Sequence, residues 1–170
     1  LGLLAGGGDD VITVTPAGLG VVTVQVDGGE PAASDKVIVN GTSGTDVIGF
    51  TPTAVIGAMI TMFGEPTVVV MDTEKLVIDG QGGDDFLAVT TPLGTNSINF
   101  HPGTRPDSGT VQVNSLLAFE FEDLGALGLV TLANQSGGRV DTLFYFGTEG
   151  SDTFTLPAAT GAIELNSQVH

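Results

Sequence analysis

A six-residue turn, Gly-x-x-Gly-x-Asp, recurs between short apolar runs and constrains this chain more than any other feature. Three copies are Gly41-Thr-Ser-Gly-Thr-Asp46, Gly80-Gln-Gly-Gly-Asp-Asp85 and Gly147-Thr-Glu-Gly-Ser-Asp152, and a fourth ends in Asp10 with Ala5 at the first Gly position. Each is flanked by apolar residues, as in Val37-Ile-Val-Asn before Gly41 and Val47-Ile-Gly-Phe after Asp46. The closing aspartates are spaced 36, 39 and 67 residues apart. Glycine tolerates positive φ, so two glycines in six residues let the backbone reverse tightly, and the aspartate can cap the turn amides. A chain built this way is a set of related strand–turn–strand units, not a collection of independent elements.

Longer echoes support that organisation. The block Val47–Pro52, Ile60–Met62, Val68–Val70 recurs 50 to 51 residues later as Ser97–Pro102, Val111–Val113, Phe119–Phe121. Gly20–Val24 through Asp35 to Asp46 recurs as Gly128–Leu132 through Asp141 to Asp152. Residues 1–170 therefore read as a single β-repeat module, a fragment or processed piece of a larger repeat protein. Its half-units fall at about 9–45, 46–95, 96–151 and 152–170. Period-two alternation in Val22-Thr-Val-Gln-Val26 and Ala118-Phe-Glu-Phe-Glu122 predicts strands, and no segment shows the 3.6-residue spacing of a helix. The expected class is all-β. Self-similar strands favour a β-solenoid, a right-handed parallel β-helix of about 36 residues per coil with the turns stacked on one edge. Hairpin-sized turns also suit the alternative, a two-sheet antiparallel β-sandwich.

Composition narrows the function classes. With 20 acidic residues against 4 Lys plus Arg, the formal charge is −16, so a polyanionic nucleic acid is a poor partner. The absence of cysteine excludes disulfides, thiolate metal sites and a cysteine nucleophile. The apolar share of 41% separates the chain from disordered acidic tails. The longest uncharged run, Val47–Gly64, is interrupted by Thr51-Pro-Thr53 and glycines, so no segment offers the ~20 apolar residues of a membrane-spanning helix. Acidity, few lysines and no cysteine fit an extracellular or cell-surface location.

The turns carry the strongest chemical signal. Carbonyls freed by a tight turn and carboxylates from a stacked neighbour are hard oxygen ligands suited to Ca²⁺. Gly41–Ile48 and Gly147–Phe154, with Gly80–Leu87 and Gly6–Ile12, resemble isolated copies of the hemolysin-type calcium-binding (RTX-like) nonapeptide, within a frame similar to repeat arrays of very large bacterial surface or secreted proteins. The resemblance implies calcium as cofactor, with Asp10, Asp46, Asp85 and Asp152 as ligands and Asp9 and Asp84 beside them. It requires that coils stack the isolated turns in register. The structural alternative is that these aspartates only satisfy turn amides.

Other clusters carry less. Glu120 and Glu122 share one face of a strand whose Phe119 and Phe121 face the other way, which reads as a solvated face and not an acid–base pair. His101, Arg105, Asp107 and Ser108 fall in a segment rich in proline and glycine that reads as a loop. No catalytic residue is assigned. The expected role is a non-enzymatic spacer, stalk or fibre-forming unit, joined end to end to itself or to neighbouring repeats. An adhesin-type module for glycan or surface protein is the alternative, and a β-helix polysaccharide-active enzyme the remote one. The apolar ends 1–4 and 162–165 are the expected joints.

Overall fold

A computed structural model describes residues 1–29, 34–133, 135, 140–156, 163–165 and 168–169. Ala162 and His170, with 157–161 and 166–167 of the last half-unit, lie outside these. Among the described residues every regular element is a strand. One seven-stranded sheet holds β1 (Gly2–Leu4), β3 (Thr23–Asp27), β5 (Val47–Ala54), β6 (Gly57–Met62), β7 (Thr67–Met71), β9 (Phe86–Thr90) and β13 (Leu129–Ala133), in the order β1-β3-β7-β6-β5-β9-β13. The second holds β2 (Val11–Val14), β4 (Lys36–Asn40), β8 (Lys75–Asp79), β10 (Ser97–Pro102), β11 (Gly109–Val113), β12 (Phe119–Glu122) and β14 (Thr142–Tyr145), in the order β14-β10-β11-β12-β8-β4-β2. A small sheet pairs β15 (Phe154–Thr155), β16 (Glu164–Leu165) and β17 (Gln168–Val169) in that order.

The all-β expectation holds, and the architecture is two-sheeted and sandwich-like. Both large sheets are mixed, not antiparallel. β1, β3 and β7 run parallel, as do β5, β9 and β13, and only β6 runs against its neighbours. In the second sheet β2, β4, β8 and β12 run parallel, β10 and β14 run parallel, and only β11 is reversed. The 50-residue echo corresponds to the two meanders β5-β6-β7 and β10-β11-β12, one in the middle of each sheet.

Alternation builds the core between the sheets. In β3, Val24 and Val26 are fully buried while Gln25 is exposed; in β4, Val37 and Val39 are buried in the same way. Phe119 and Phe121 point inward and Glu120 and Glu122 outward. Across the core, the Phe50 ring of one sheet lies 4.1 Å, centroid to centroid, from Phe119 of the other. Burial of each such ring contributes about 1.5–3 kcal/mol.

The connections form two rims, which corrects the expectation of one stacked edge. Segments 5–10, 28–35, 72–74 and 91–96 carry the chain from the first sheet to the second. Segments 15–22, 41–46, 80–85 and 123–128 carry it back. With strands parallel inside each sheet, outgoing and returning links lie at opposite strand ends. The turn ending in Asp10 is therefore on the rim opposite the turns ending in Asp46 and Asp85.

Candidate functional site

On the returning rim the turns close with their own aspartates. In 41–46 the Thr42 amide donates to Asp46 Oδ2 at 2.7 Å, the Thr42 hydroxyl reaches both carboxylate oxygens at 3.1–3.2 Å, and the Gly44 amide donates to Thr42 Oγ1 at 3.2 Å. Turn 147–152 repeats this, with Thr148 donating from its amide to Asp152 Oδ2 at 2.9 Å and from its hydroxyl to Oδ1 at 2.8 Å. The carboxylate folds back over the first glycine. A Cβ on Gly41 would meet Asp46 Oδ2 and the Gly80 carbonyl oxygen, each at 2.8 Å. The first glycine is therefore demanded by space, not by φ.

Turn 80–85 departs from this pattern through one residue. Gln81 stands where the other copies have threonine, and it turns away at φ 63° to bond Asp79 through its amide (3.0 Å) and its side chain (2.7 Å). Asp85 is left to its stacked neighbour. Its Oδ1 accepts the Asp46 amide at 2.8 Å, and its buried Oδ2 has no hydrogen-bond partner. Burial pushes the Asp85 carboxyl up from its ordinary 3.8 to about 6; the Asp46 amide opposes this, and the charges of Asp46 and Asp84 reinforce it. Asp84 Oδ1 accepts the Leu127 amide at 2.9 Å.

The outgoing rim carries a second column, of which the sequence pattern marks only Asp9 and Asp10. The Asp10 amide donates to Asp35 Oδ1 at 2.8 Å, and the Asp35 amide donates to Glu74 Oε2 at 2.9 Å. Asp9 Oδ1 accepts the Ser34 amide at 3.0 Å. Asp35 is fully buried, and Asp10 Oδ2, Asp35 Oδ2 and Glu74 Oε1 are all buried without partners. Farther along this rim the Asn96 amide donates to Asp141 Oδ1 at 2.9 Å, but here Oδ2 accepts the Thr91 hydroxyl at 2.9 Å. At Asp141 burial raises the carboxyl, but the hydrogen bonds from Asn96 and Thr91 outweigh it and hold the group below its ordinary value. The available signal was Asp27-Gly28-Gly29 ahead of Ser34-Asp35, the same grammar with a longer turn.

The six expected ligands are thus dispersed. Asp46 and Asp85 are stacked with Asp84 beside them, Asp9 and Asp10 are on the opposite rim, and Asp152 closes its own turn. Among the described residues no three acidic or histidine side chains converge to hold a metal.

The segment 101–109 is the hairpin between β10 and β11, whose Thr110 pairs with Glu120 of β12. Arg105 Nη2 is 2.7 Å from Asp123 and Nε is 3.6 Å from Asp107. Ser108 Oγ donates to the Arg105 carbonyl at 3.0 Å. His101 stacks on Phe146 with centroids 4.0 Å apart. A groove of about 210 Å³ separates Thr104 and Ser108 from Glu120 and Glu122. Comparison with protein-family models, curated proteins and solved structures finds no match to this chain.

Proposed function

We propose that the chain is a non-enzymatic structural module of an exported or surface-bound bacterial protein, acting as spacer, stalk or fibre-forming unit. One observation carries this reading. Lys36 pairs with Lys75 in one sheet and Val47 with Phe86 in the other, both 39 residues apart, the same step that separates Asp46 from Asp85. Strand, turn and strand advance together, as in the coil of a solenoid, right-handed by the usual rule for parallel crossovers. Such an object grows along one axis and transmits load through stacked hydrogen bonds. In this reading Ca²⁺ bound by Asp46 and Asp85, with Asp84 beside them, reinforces the returning rim, and neighbouring repeats or further copies join end to end. Sedimentation velocity over a concentration series, with negative-stain imaging, tests the fibre-forming role: rods growing in one dimension are expected, and a strictly monomeric profile overturns it.

The groove favours a second reading, an adhesin-type module. It brings the hydroxyls of Thr104, Ser108 and Thr110 beside the Glu120 and Glu122 carboxylates, a polar set able to bond sugar hydroxyls. A glycan-array screen separates the two, since saturable binding lost in Glu120→Ala belongs to an adhesin and not to a spacer.

A further inference from the structure

We infer that the column Asp10–Asp35–Glu74 on the outgoing rim is a divalent-cation site for a hard ion of the calcium class. The site is distinct from the turns ending in Asp46 and Asp85 and stands independently of the spacer reading.

Asp35 is its centre. The side chain is 0% exposed, and a carboxylate so placed requires compensation for both oxygens. Oδ1 has the Asp10 amide; Oδ2 has nothing. On the rungs to either side, Asp10 Oδ2 and Glu74 Oε1 are likewise buried and bare. The three residues sit at or beside the starts of β2, β4 and β8, which are hydrogen-bonded neighbours spaced about 4.8 Å apart.

A neutral oxygen lies nearby. A Cβ on Gly28 would collide with the Asp72 carbonyl oxygen and lie 3.1 Å from Asp35 Oδ2, so the glycine leaves room for both. Asp72 is held at φ 47°, a left-handed conformation that turns this carbonyl out of the strand direction. Among the described residues no donor reaches Asp35 Oδ2. The Thr73 hydroxyl donates to the Met71 carbonyl at 3.1 Å, and the ion pairs among the described residues involve Arg105 alone, on another part of the molecule.

The same rim supplies an internal control. Asn96 and Asp141 reproduce the relation of Asp10 and Asp35, amide to carboxylate at 2.9 Å. There the first rung is a neutral asparagine, and the second oxygen is taken by Thr91. Where this fold needs no ion, it satisfies the stacked carboxylate with a hydroxyl; at Asp35 it provides more carboxylates instead. Three acidic side chains do not converge on one point. The ion therefore takes Asp35 and one neighbour, backbone carbonyls and water, a ligand set of hard oxygens.

Terbium luminescence and isothermal titration of the EDTA-stripped chain with Ca²⁺ at pH 7 test the site, on wild type, Asp35→Asn and Asp85→Asn. The expected result is saturable Ca²⁺ binding in which Asp35→Asn removes one ion equivalent and its share of the Ca²⁺-induced rise in Tm, while Asp85→Asn retains that equivalent. No saturable binding by wild type up to about 10 mM, above the range of extracellular modules, overturns the site and leaves the spacer reading standing. An unchanged stoichiometry in Asp35→Asn also overturns it. Should circular dichroism show Asp35→Asn unfolded, Asp10→Asn and Glu74→Gln decide: at least tenfold weaker binding in one of them supports the site, and unaltered binding in both overturns it.

Discussion

The backbone amide of Asp46 donates to Oδ1 of Asp85 at 2.8 Å, so one turn's backbone is satisfied by the neighbouring turn's side chain. Around this bond the two turns are interlocked. The Gly41 amide donates to the Asp79 carbonyl at 2.7 Å, the Thr45 hydroxyl to the Gly83 carbonyl at 2.6 Å, and the Phe86 amide to the Asp46 carbonyl at 2.9 Å. Turn 41–46 is thus held both by its own Asp46 and by bonds to the neighbouring turn. The arrangement leaves Asp85 Oδ2 bare, and most of the rim's pH behaviour follows from that atom.

Folding should lose stability as pH rises through the Asp85 transition. The folded carboxyl titrates near 6 and the unfolded one near 3.8, so between these values the native state binds the extra proton. Stability from this group is full below about pH 3.8, falls as pH rises towards 6, and is gone above it. Asp141, held low, contributes with the opposite sign and loses stability as pH falls. The difference between wild type and Asp85→Asn, from urea melts in EDTA at pH 4, 5, 6 and 7, isolates the Asp85 part. A difference that stays flat across that range refutes the assignment.

Asp85→Asn should stabilise the metal-free protein at pH 7. Asparagine keeps an oxygen for the Asp46 amide and puts a neutral donor where the bare oxygen stood. The Asp123 carbonyl oxygen lies 2.6 Å from the Cβ position of Gly80, on the same side of the turn as Asp85 Oδ2, and is an acceptor for that donor. The expected gain is about 1–2 kcal/mol, discounted from the full shift because the turn sits on a surface rim. A midpoint in urea below that of wild type contradicts this account.

The turn glycines should divide into two kinds. Gly41→Ala places a methyl group against the Gly80 carbonyl at 2.8 Å, and that carbonyl belongs to the neighbouring turn's backbone, so the two turns must separate. A loss of about 2–4 kcal/mol is expected. Gly82 has φ 82° but nothing within 4 Å of its Cβ position, so Gly82→Ala carries only the left-handed cost of about 1 kcal/mol. Equal losses in thermal melts would reject stacking as the reason for the first glycine.

Much of this fold was legible because its signals are local. Alternation in Thr23–Asp27 and Phe119–Glu122 identifies which side chains face inward, and the 50-residue echo marks the two meanders. Strand partners were not legible, since period-two patterning looks the same in parallel and antiparallel pairs. That is why one stacked edge was expected where two rims exist. Asp46 and Asp85 share a motif, yet only Asp85 is bare. The distinguishing residue, Gln81 in place of Thr42 and Thr148, is visible in the sequence but has meaning only once the threonine hydroxyl is known to close the turn. Asp35 is hidden by its longer sequence separation from Gly28-Gly29, and Glu74 by having no glycine signature.

Adjacent residues of β12 should respond in opposite ways. Phe119 is 1% exposed and packs on Phe50 and Phe121, so Phe119→Ala opens a cavity between the sheets at about 3–5 kcal/mol. Glu120 projects from the outer face, and Glu120→Ala should stay within about 0.5 kcal/mol. Comparable losses in denaturant melts would mean that the face of this strand is misassigned.

Thr91 tests whether stacked carboxylates need their second oxygen satisfied. Its hydroxyl donates to Asp141 Oδ2 at 2.9 Å and accepts the Gln135 amide at 3.3 Å, and the residue is 1% exposed. Thr91→Val keeps the shape and removes the hydroxyl, so Asp141 Oδ2 exchanges a protein donor for solvent. A loss of stability smaller than at a fully buried carboxylate is expected, whereas Thr91→Ser should recover most of it. The Asp141 carboxyl should also rise in Thr91→Val, since one of the bonds holding it low is gone. NMR titration of that carboxyl reads the change directly. A valine variant with wild-type stability and an unmoved Asp141 titration would show that the Thr91 hydroxyl does not hold this carboxylate.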